Sequence, residues 1–156
     1  MKSVLFLWLS LWTLVSMASS EERVYLVVNG QYGDSNLGLV LFLYEPSITT
    51  LEACQAARVQ GLRDRIWMHY THRLARERIK GFTVQLNYQC ARSSQVLEPW
   101  YEKDFYDLVY LIRVDANARL TLRPFENQAA CQYALRQLPE PQQAGYRCAR
   151  SNQYLL

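Results

Sequence analysis

The chain has 156 residues, with 17 basic and 14 acidic side chains and a net charge of +3. So small a charge does not support nucleic-acid binding, which needs a clustered basic surface, and no nucleic-acid partner is expected. About 136 residues follow the N-terminal apolar segment, which is enough for one compact domain or two small intertwined units.

The first 20 residues have the layout of a secretory signal peptide. A basic start precedes an apolar run from Val4 to Val15, and small residues allow cleavage after Ala18 or after Ser20. The run is shorter than the roughly 20 residues that span a bilayer. We therefore expect a secreted or periplasmic protein that begins near Glu21 and has no transmembrane segment after signal removal. An uncleaved anchor is the alternative.

A cysteine motif occurs twice. Cys54 and Cys131 each stand in the pattern Ala-Cys-Gln-x-Ala, whereas Cys90 and Cys148 each begin Cys-Ala-Arg-Ser. Four cysteines in an exported chain predict two disulfides, and the chain has no C-x-x-C pair that would favour a metal site. Equivalent positions should form equivalent bonds, which predicts Cys54–Cys90 and Cys131–Cys148. The swapped pairing, Cys54–Cys148 with Cys90–Cys131, keeps the same symmetry and is the alternative.

The first copy of this motif lies in a β-β-α-β pattern. Two strands flank a glycine-rich turn, a helix follows a capping box, and an alternating strand ends the unit. The second strand is apolar on both faces, which is typical of a central strand. In order, the predicted elements are a strand Val24–Val28, a turn over 29–38, a strand Leu39–Tyr44, a helix that begins at Thr49–Glu52 and carries Cys54, and a strand Phe82–Tyr88.

The second copy repeats that order in fewer residues. Its elements are a strand Leu108–Ile112, a turn Asp115–Asn117, a strand Leu120–Leu122 stopped by Pro124, a helix from the cap Asn127 to Leu138 that Pro139 and Pro141 close, and a strand from Gly145 to Cys148. We therefore expect an α+β fold of two tandem β-β-α-β units, each cross-linked by a disulfide and packed as one pseudo-symmetric domain. The first unit covers 21–97, a linker covers 98–104, and the second unit covers 105–156.

The copies differ most between Gln60 and Gly81, a segment that the second copy lacks. Apolar residues recur every four positions along it, which predicts a helix. Seven basic residues against two acidic ones lie between Arg58 and Lys80. A second face of this helix carries the basic set that we identify as a candidate site for an anionic partner: Arg65, His69, His72, Arg73 and Arg76.

Three interpretations of this basic set are open. The first is a solvated helix face. The second is a surface that binds an acidic protein, a polyanionic glycan or a lipid headgroup, and such binding would be stronger below about pH 6.5, where histidine is charged. A metal site at His69 and His72 is the third, but no further ligand completes a shell. We predict no metal and no cofactor.

Sequence motifs for catalysis are absent. The chain has two histidines, no G-x-S-x-G elbow, and no cysteine outside the paired pattern. Eleven tyrosines favour contact surfaces instead, because tyrosine is enriched at interfaces. We therefore expect an exported interaction module, an inhibitor or immunity-type protein being one form, whose partner is a protein or an anionic envelope polymer. The alternative is a small envelope hydrolase that acts on glycan or peptide.

Overall fold

The computed structural model describes residues 22–33, 38–64, 84–100 and 105–156 as a mixed α+β fold. In these residues six strands form one sheet, and three helices contact it. The elements are β1 (Arg23–Tyr32), β2 (Gly38–Tyr44), α1 (Leu51–Asp64), β3 (Val84–Ser93), β4 (Leu108–Val114), β5 (Leu120–Phe125), α2 (Gln128–Arg136), α3 (Glu140–Gln143) and β6 (Tyr146–Ser151). The predicted signal peptide lies outside the described residues. No helix in the described ranges is long and apolar enough to cross a membrane.

The strands are longer than the sequence predicts. β1 continues to Tyr32, through the first residues of the predicted turn, and β3 continues to Ser93. Pro124 does not stop β5 but lies within it, opposite Tyr110 of β4. Proline is tolerated there because β4 is the neighbour of β5 in the sheet order and the other side of β5 carries no continuous ladder.

The sheet has the strand order β3-β1-β2-β6-β4-β5. Its neighbours are antiparallel except β2 and β6, which pair in parallel at Leu39 and Arg150. The outer strands, β3 and β5, also meet, through a parallel bridge between Arg92 and Arg119. The backbone N–H of Arg92 donates to the carbonyl of Ala118 over 2.8 Å. The sheet therefore curves until its two edges touch.

The main core fills one face of this curved sheet, with buried residues from all six strands. Side chains alternate between the two faces of a strand, so the opposite face is left for the helices. There, α1 covers a cluster that contains Cys54, and α2 covers a cluster that contains Cys131. The main core consists of Tyr25, Val27, Val40, Phe42, Ala91, Leu97, Tyr110, Ile112, Leu120, Leu122 and Ala149.

The two disulfides join the pairs that the repeated motif predicts. Cys54 of α1 bonds to Cys90 of β3, and Cys131 of α2 bonds to Cys148 of β6. Each bond ties a helix to the strand that follows it. Loop-closure entropy alone gives about 3.8 kcal/mol for the first bond and about 3.1 kcal/mol for the second, whose loop is shorter.

The helix ends follow local side-chain chemistry. Thr50 Oγ1 accepts from the N–H of Ala53 over 3.1 Å, and Asn127 Oδ1 accepts from the N–H of Ala130 over 2.9 Å. Asn127 is the cap that the sequence predicts. Because α1 begins at Leu51, the third helical position is Ala53 and not Glu52, so the reciprocal bond of a capping box has no acceptor. Helix α1 also continues through Gly61.

The second helix is shorter than predicted. Helix α2 ends at Arg136 and not at Leu138. Pro139 is the N-terminal boundary residue of the separate helix α3, and Pro141 stands in the first turn of that helix. Proline is favoured at this position because the first amides of a helix have no intrahelical partner. The prolines therefore start a second helix besides ending the first.

Two glutamine side chains bond to strand backbone where no strand pairs. Gln153 Oε1 accepts from the N–H of Phe42 over 2.7 Å, and its Nε2 donates to the carbonyl of Phe42 over 2.9 Å. Gln95 makes the same two bonds to Leu122, over 2.7 and 2.9 Å. Each side-chain amide thus takes the place of a neighbouring strand, and backbone groups of two core residues are satisfied.

The segments that carry these glutamines also contact each other. Leu97 and Leu155 form an antiparallel bridge, flanked by bonds from Glu98 N to the carbonyl of Tyr154 over 2.9 Å and from Leu156 N to the carbonyl of Val96 over 2.8 Å.

Two buried tyrosines anchor the same segments to the core. The hydroxyl of Tyr25 accepts from Leu97 N over 3.2 Å and donates to the carbonyl of Gln95 over 3.3 Å. The hydroxyl of Tyr110 donates to the carbonyl of Gln153 over 3.0 Å. Burial raises the pKa of Tyr110 above its ordinary value, which keeps this donor protonated.

Replacing Gln153 with alanine should lower the free energy of unfolding by about 3 kcal/mol. The change leaves the N–H and carbonyl of Phe42 unpaired beside the core, and each buried unsatisfied group costs roughly 1–3 kcal/mol. Urea unfolding of Gln153→Ala beside Gln142→Ala, an exposed glutamine in α3, measures the difference. Equal midpoints for the two variants would contradict the role assigned to Gln153.

Candidate functional site

The predicted anion-binding residues lie outside the described residues. Arg65, His69, His72, Arg73 and Arg76 all fall between α1 and β3, so the prediction for them stays a prediction. The four cysteines are all used in disulfides. Among the described residues no group of three potential metal ligands occurs.

A cleft of about 740 Å³ lies where the two halves of the chain meet. Its walls come from β1, β2, β3 and α1 on one side and from α2 and β6 on the other. Gly38 lies where β2 approaches β6: a Cβ there would stand 3.4 Å from the carbonyl oxygen of Cys148 and 3.5 Å from the Cβ of Ala149. An alanine at Gly38 would therefore make ordinary van der Waals contact with β6.

Amide side chains line the cleft at one end of the sheet. Asn29 and Gln31 occupy alternate positions of β1, and they stand directly opposite Asn87 and Gln85 of β3. Alternate residues of β1 further along the same face belong to the main core. The face is therefore apolar through most of its length and becomes polar at the cleft.

Two arginines line the same cleft. Arg58 of α1 donates from Nη1 to the carbonyl of Tyr88 over 3.0 Å, and its Nε is buried without a partner. Arg147 of β6 has both Nε and Nη2 buried without a partner, and desolvation lowers its pKa below the ordinary value. Among the described residues that line the cleft there is no aspartate or glutamate. The positive charge at Arg147 is thus partly desolvated, and no carboxylate of the described lining balances it.

Asn29 is unsatisfied in the same way. Its side chain is 9% exposed, and neither Oδ1 nor Nδ2 has a hydrogen-bond partner. Buried polar side-chain atoms normally have partners, and each exception needs an explanation. Asn29 and Arg147 both line the cleft, and their unpaired side-chain atoms include donors and an acceptor, which suits a polar ligand that bears oxygen atoms.

The arginines of the cleft have the chemistry to bind an anion. Guanidinium groups donate to carboxylate, phosphate or sulfate oxygens, and desolvation strengthens such bonds. The described residues of the lining include no histidine, carboxylate or free thiol, the groups that most often transfer protons near neutral pH.

Sequence reasoning missed this cleft. Residues 29–38 have the composition of a turn, which predicts a loop at Asn29 and Gln31 and not a polar end of β1. Arg147 immediately precedes the cysteine of the second Cys-Ala-Arg-Ser motif. Its position between Tyr146 and Cys148 was a usable signal, because in a strand the neighbour of a residue facing a helix must face the other side.

Comparisons of the chain with family models, with curated proteins and with solved structures find no match.

Replacing Arg147 with methionine should raise the free energy of unfolding of the ligand-free protein by about 1 kcal/mol. Methionine keeps much of the side-chain length and removes a partly buried charge with unpaired donors, which is costly to retain. Thermal and urea unfolding measure the change. The matched control is Arg150→Met on the same strand, where the arginine is exposed and the effect should be close to zero. A destabilised Arg147→Met protein would show that this arginine supports the fold.

Proposed function

We propose that the chain is an exported, disulfide-stabilised interaction module that binds a macromolecular partner in the periplasm or the extracellular space. An inhibitor or an immunity-type protein is one form that such a module takes. The observation that carries the proposal is the cleft at Arg58 and Arg147, whose side chains keep buried donors without partners and whose described lining holds no carboxylate. The two disulfides support an oxidising destination.

The proposal includes an architecture of two tandem β-β-α-β units packed as one pseudo-symmetric domain. The strand registers support it. Tyr25 of β1 is opposite both Ala91 and Tyr44, and Tyr110 of β4 is opposite both Ala149 and Pro124. Taking these positions as equivalent makes β1, β2 and β3 the counterparts of β4, β5 and β6.

The contacts between the halves support the same equivalence. On that alignment, the bridge of Leu39 with Arg150 corresponds to the bridge of Arg119 with Arg92. These are the two places where strands of different halves meet in parallel. A twofold relation between the units requires both contacts. Each unit then contributes its second strand to one contact and its third strand to the other.

The glutamine contacts correspond as well. Gln95 bonds to Leu122 and Gln153 bonds to Phe42. On the same alignment, Gln95 is the counterpart of Gln153, and Leu122 is the counterpart of Phe42. The bridge between Leu97 and Leu155 joins a position to its own counterpart, so the twofold axis would pass beside it.

Among the residues that line the cleft, Asn29, Arg58 and Arg147 break this correspondence. In the second unit, Val114 takes the place of Asn29 and Leu135 takes the place of Arg58, while Gln89 of the first unit takes the place of Arg147. Groups that maintain the fold are thus shared by the units, and the charged groups of the cleft are not. This contrast favours a binding role for the cleft over a structural one.

Partner capture with four proteins tests the proposal. The mature protein, the cleft variant Arg58→Met/Arg147→Met, the basic-segment variant Arg65→Gln/Arg73→Gln/Arg76→Gln and the control Arg150→Met are each immobilised and exposed to the culture medium and envelope fraction of the source cells. We expect the mature protein and the control to retain one component in stoichiometric amount and the cleft variant to lose it, because the unpaired donors are gone.

The other outcomes separate the alternatives. Loss of the component from the basic-segment variant alone would move the binding surface to Arg65, Arg73 and Arg76. Turnover of wall material without any retained component would replace the proposal with the envelope hydrolase.

A further inference from the structure

Resting on that proposed function, we infer that the partner is an acidic glycan and that the cleft holds one of its carboxylate-bearing sugar residues. The arginines of the cleft have hydrogen-bond donors that the fold does not use. Arg147 Nε, Arg147 Nη2 and Arg58 Nε are buried donors without acceptors. A carboxylate supplies two oxygens, which is the geometry that a guanidinium group binds best.

The lining is rich in amide side chains. Asn29, Gln31, Gln85, Asn87 and Gln132 all border the cleft. A primary amide both donates and accepts hydrogen bonds, as does a sugar hydroxyl, so a set of amides matches a ligand that carries several hydroxyl groups. Asn29, with both side-chain atoms unpaired, has the capacity for one donor and one acceptor of this kind.

The aromatic residues of the lining and the volume of the cleft also suit a sugar. Tyr88 and Tyr146 border the cleft, and aromatic rings pack against the C–H faces of sugars. The guanidinium group of Arg113 lies 5.2 Å from the ring centre of Tyr146, which places a cation beside one of these rings. A volume of about 740 Å³ is within the usual range for sites that enclose a small ligand or a short segment of a polymer.

An acidic protein segment is the less suitable occupant. The centre of a protein interface is mostly apolar and aromatic, with its anchors in desolvated pockets. The cleft has amides at the corresponding place. The most exposed large apolar side chains of the described residues are elsewhere: Phe105, Tyr133, Tyr154 and Leu156. None of these four lines the cleft.

Calorimetric titration with defined oligosaccharides tests the inference. The probes are trisaccharides of galacturonic, glucuronic and mannuronic acid, the same trisaccharides with carboxylates reduced to alcohols, and hexaglutamate. At least one uronate trisaccharide should bind, and its reduced form should bind at least about tenfold more weakly, because the charge-assisted bonds are lost. Added salt should weaken the first more than the second.

Variants locate the site. Arg147→Met should weaken uronate binding about tenfold or more, and Asn29→Val, which introduces the residue of the second unit, about fivefold. Arg150→Met should bind as the unaltered protein does. Chemical-shift changes of the Asn29 side-chain amide on addition of the trisaccharide provide a readout that does not depend on affinity.

Three results would overturn the inference: no uronate trisaccharide binds, the reduced forms bind equally well, or hexaglutamate binds more tightly in an Arg147-dependent way. The proposed function fails separately. If the captured partner depends on Arg58 and Arg147 but no uronate binds, only the glycan assignment is wrong. If the cleft variant still retains the partner, the cleft itself is not the binding surface.

Discussion

Two glutamine side chains make the backbone hydrogen bonds that the strands of the sheet leave unmade. β2 pairs with β6 at one position, Leu39 with Arg150, so Phe42, which is fully buried, has no strand partner on that side. Gln153 supplies both bonds, and it also donates to the carbonyl of Glu98 over 2.8 Å. Gln95 does the same for Leu122. A curved sheet whose edges only touch can therefore enclose a core without leaving the backbone groups of Phe42 and Leu122 unpaired, which would cost about 1–3 kcal/mol each.

The polar side chains that close the sheet and those that line the cleft differ in whether their atoms have hydrogen-bond partners. Near Leu97 and Leu155, the side chains of Tyr25, Tyr110 and Gln153 are bonded to backbone. At the cleft, Asn29 and Arg147 have unpaired atoms. Stability and binding often compete, since groups kept free for a ligand add little to the folded state. On the proposed two-unit architecture, the first set of groups occurs in both halves and the second set in one.

Much of the fold was predictable from the sequence. The disulfide pairing followed from Cys54 and Cys131 standing in one pattern, the Asn127 cap from its chemistry, and the central place of β2 from its continuous apolar residues. The parallel contacts of β2 with β6 and of β3 with β5 were not predictable, because strand order is a long-range property. Gln95 and Gln153 stand five residues after Cys90 and Cys148. No sequence pattern, however, predicts which backbone groups a glutamine after a strand will bond. The cleft was not predictable either, because the polar strand ends that line it resemble a turn in composition.

Amide hydrogen exchange at Phe42 and Leu122 tests the glutamine closure most directly. Both N–H groups donate to a glutamine side chain, so both should exchange only when the whole domain unfolds, with the protection of mid-sheet amides such as those of Val27 and Ile112. Exchange of either amide roughly a hundredfold or more faster than those references, in the native protein without denaturant, would show that the edges of the sheet open locally and that the glutamines do not close it.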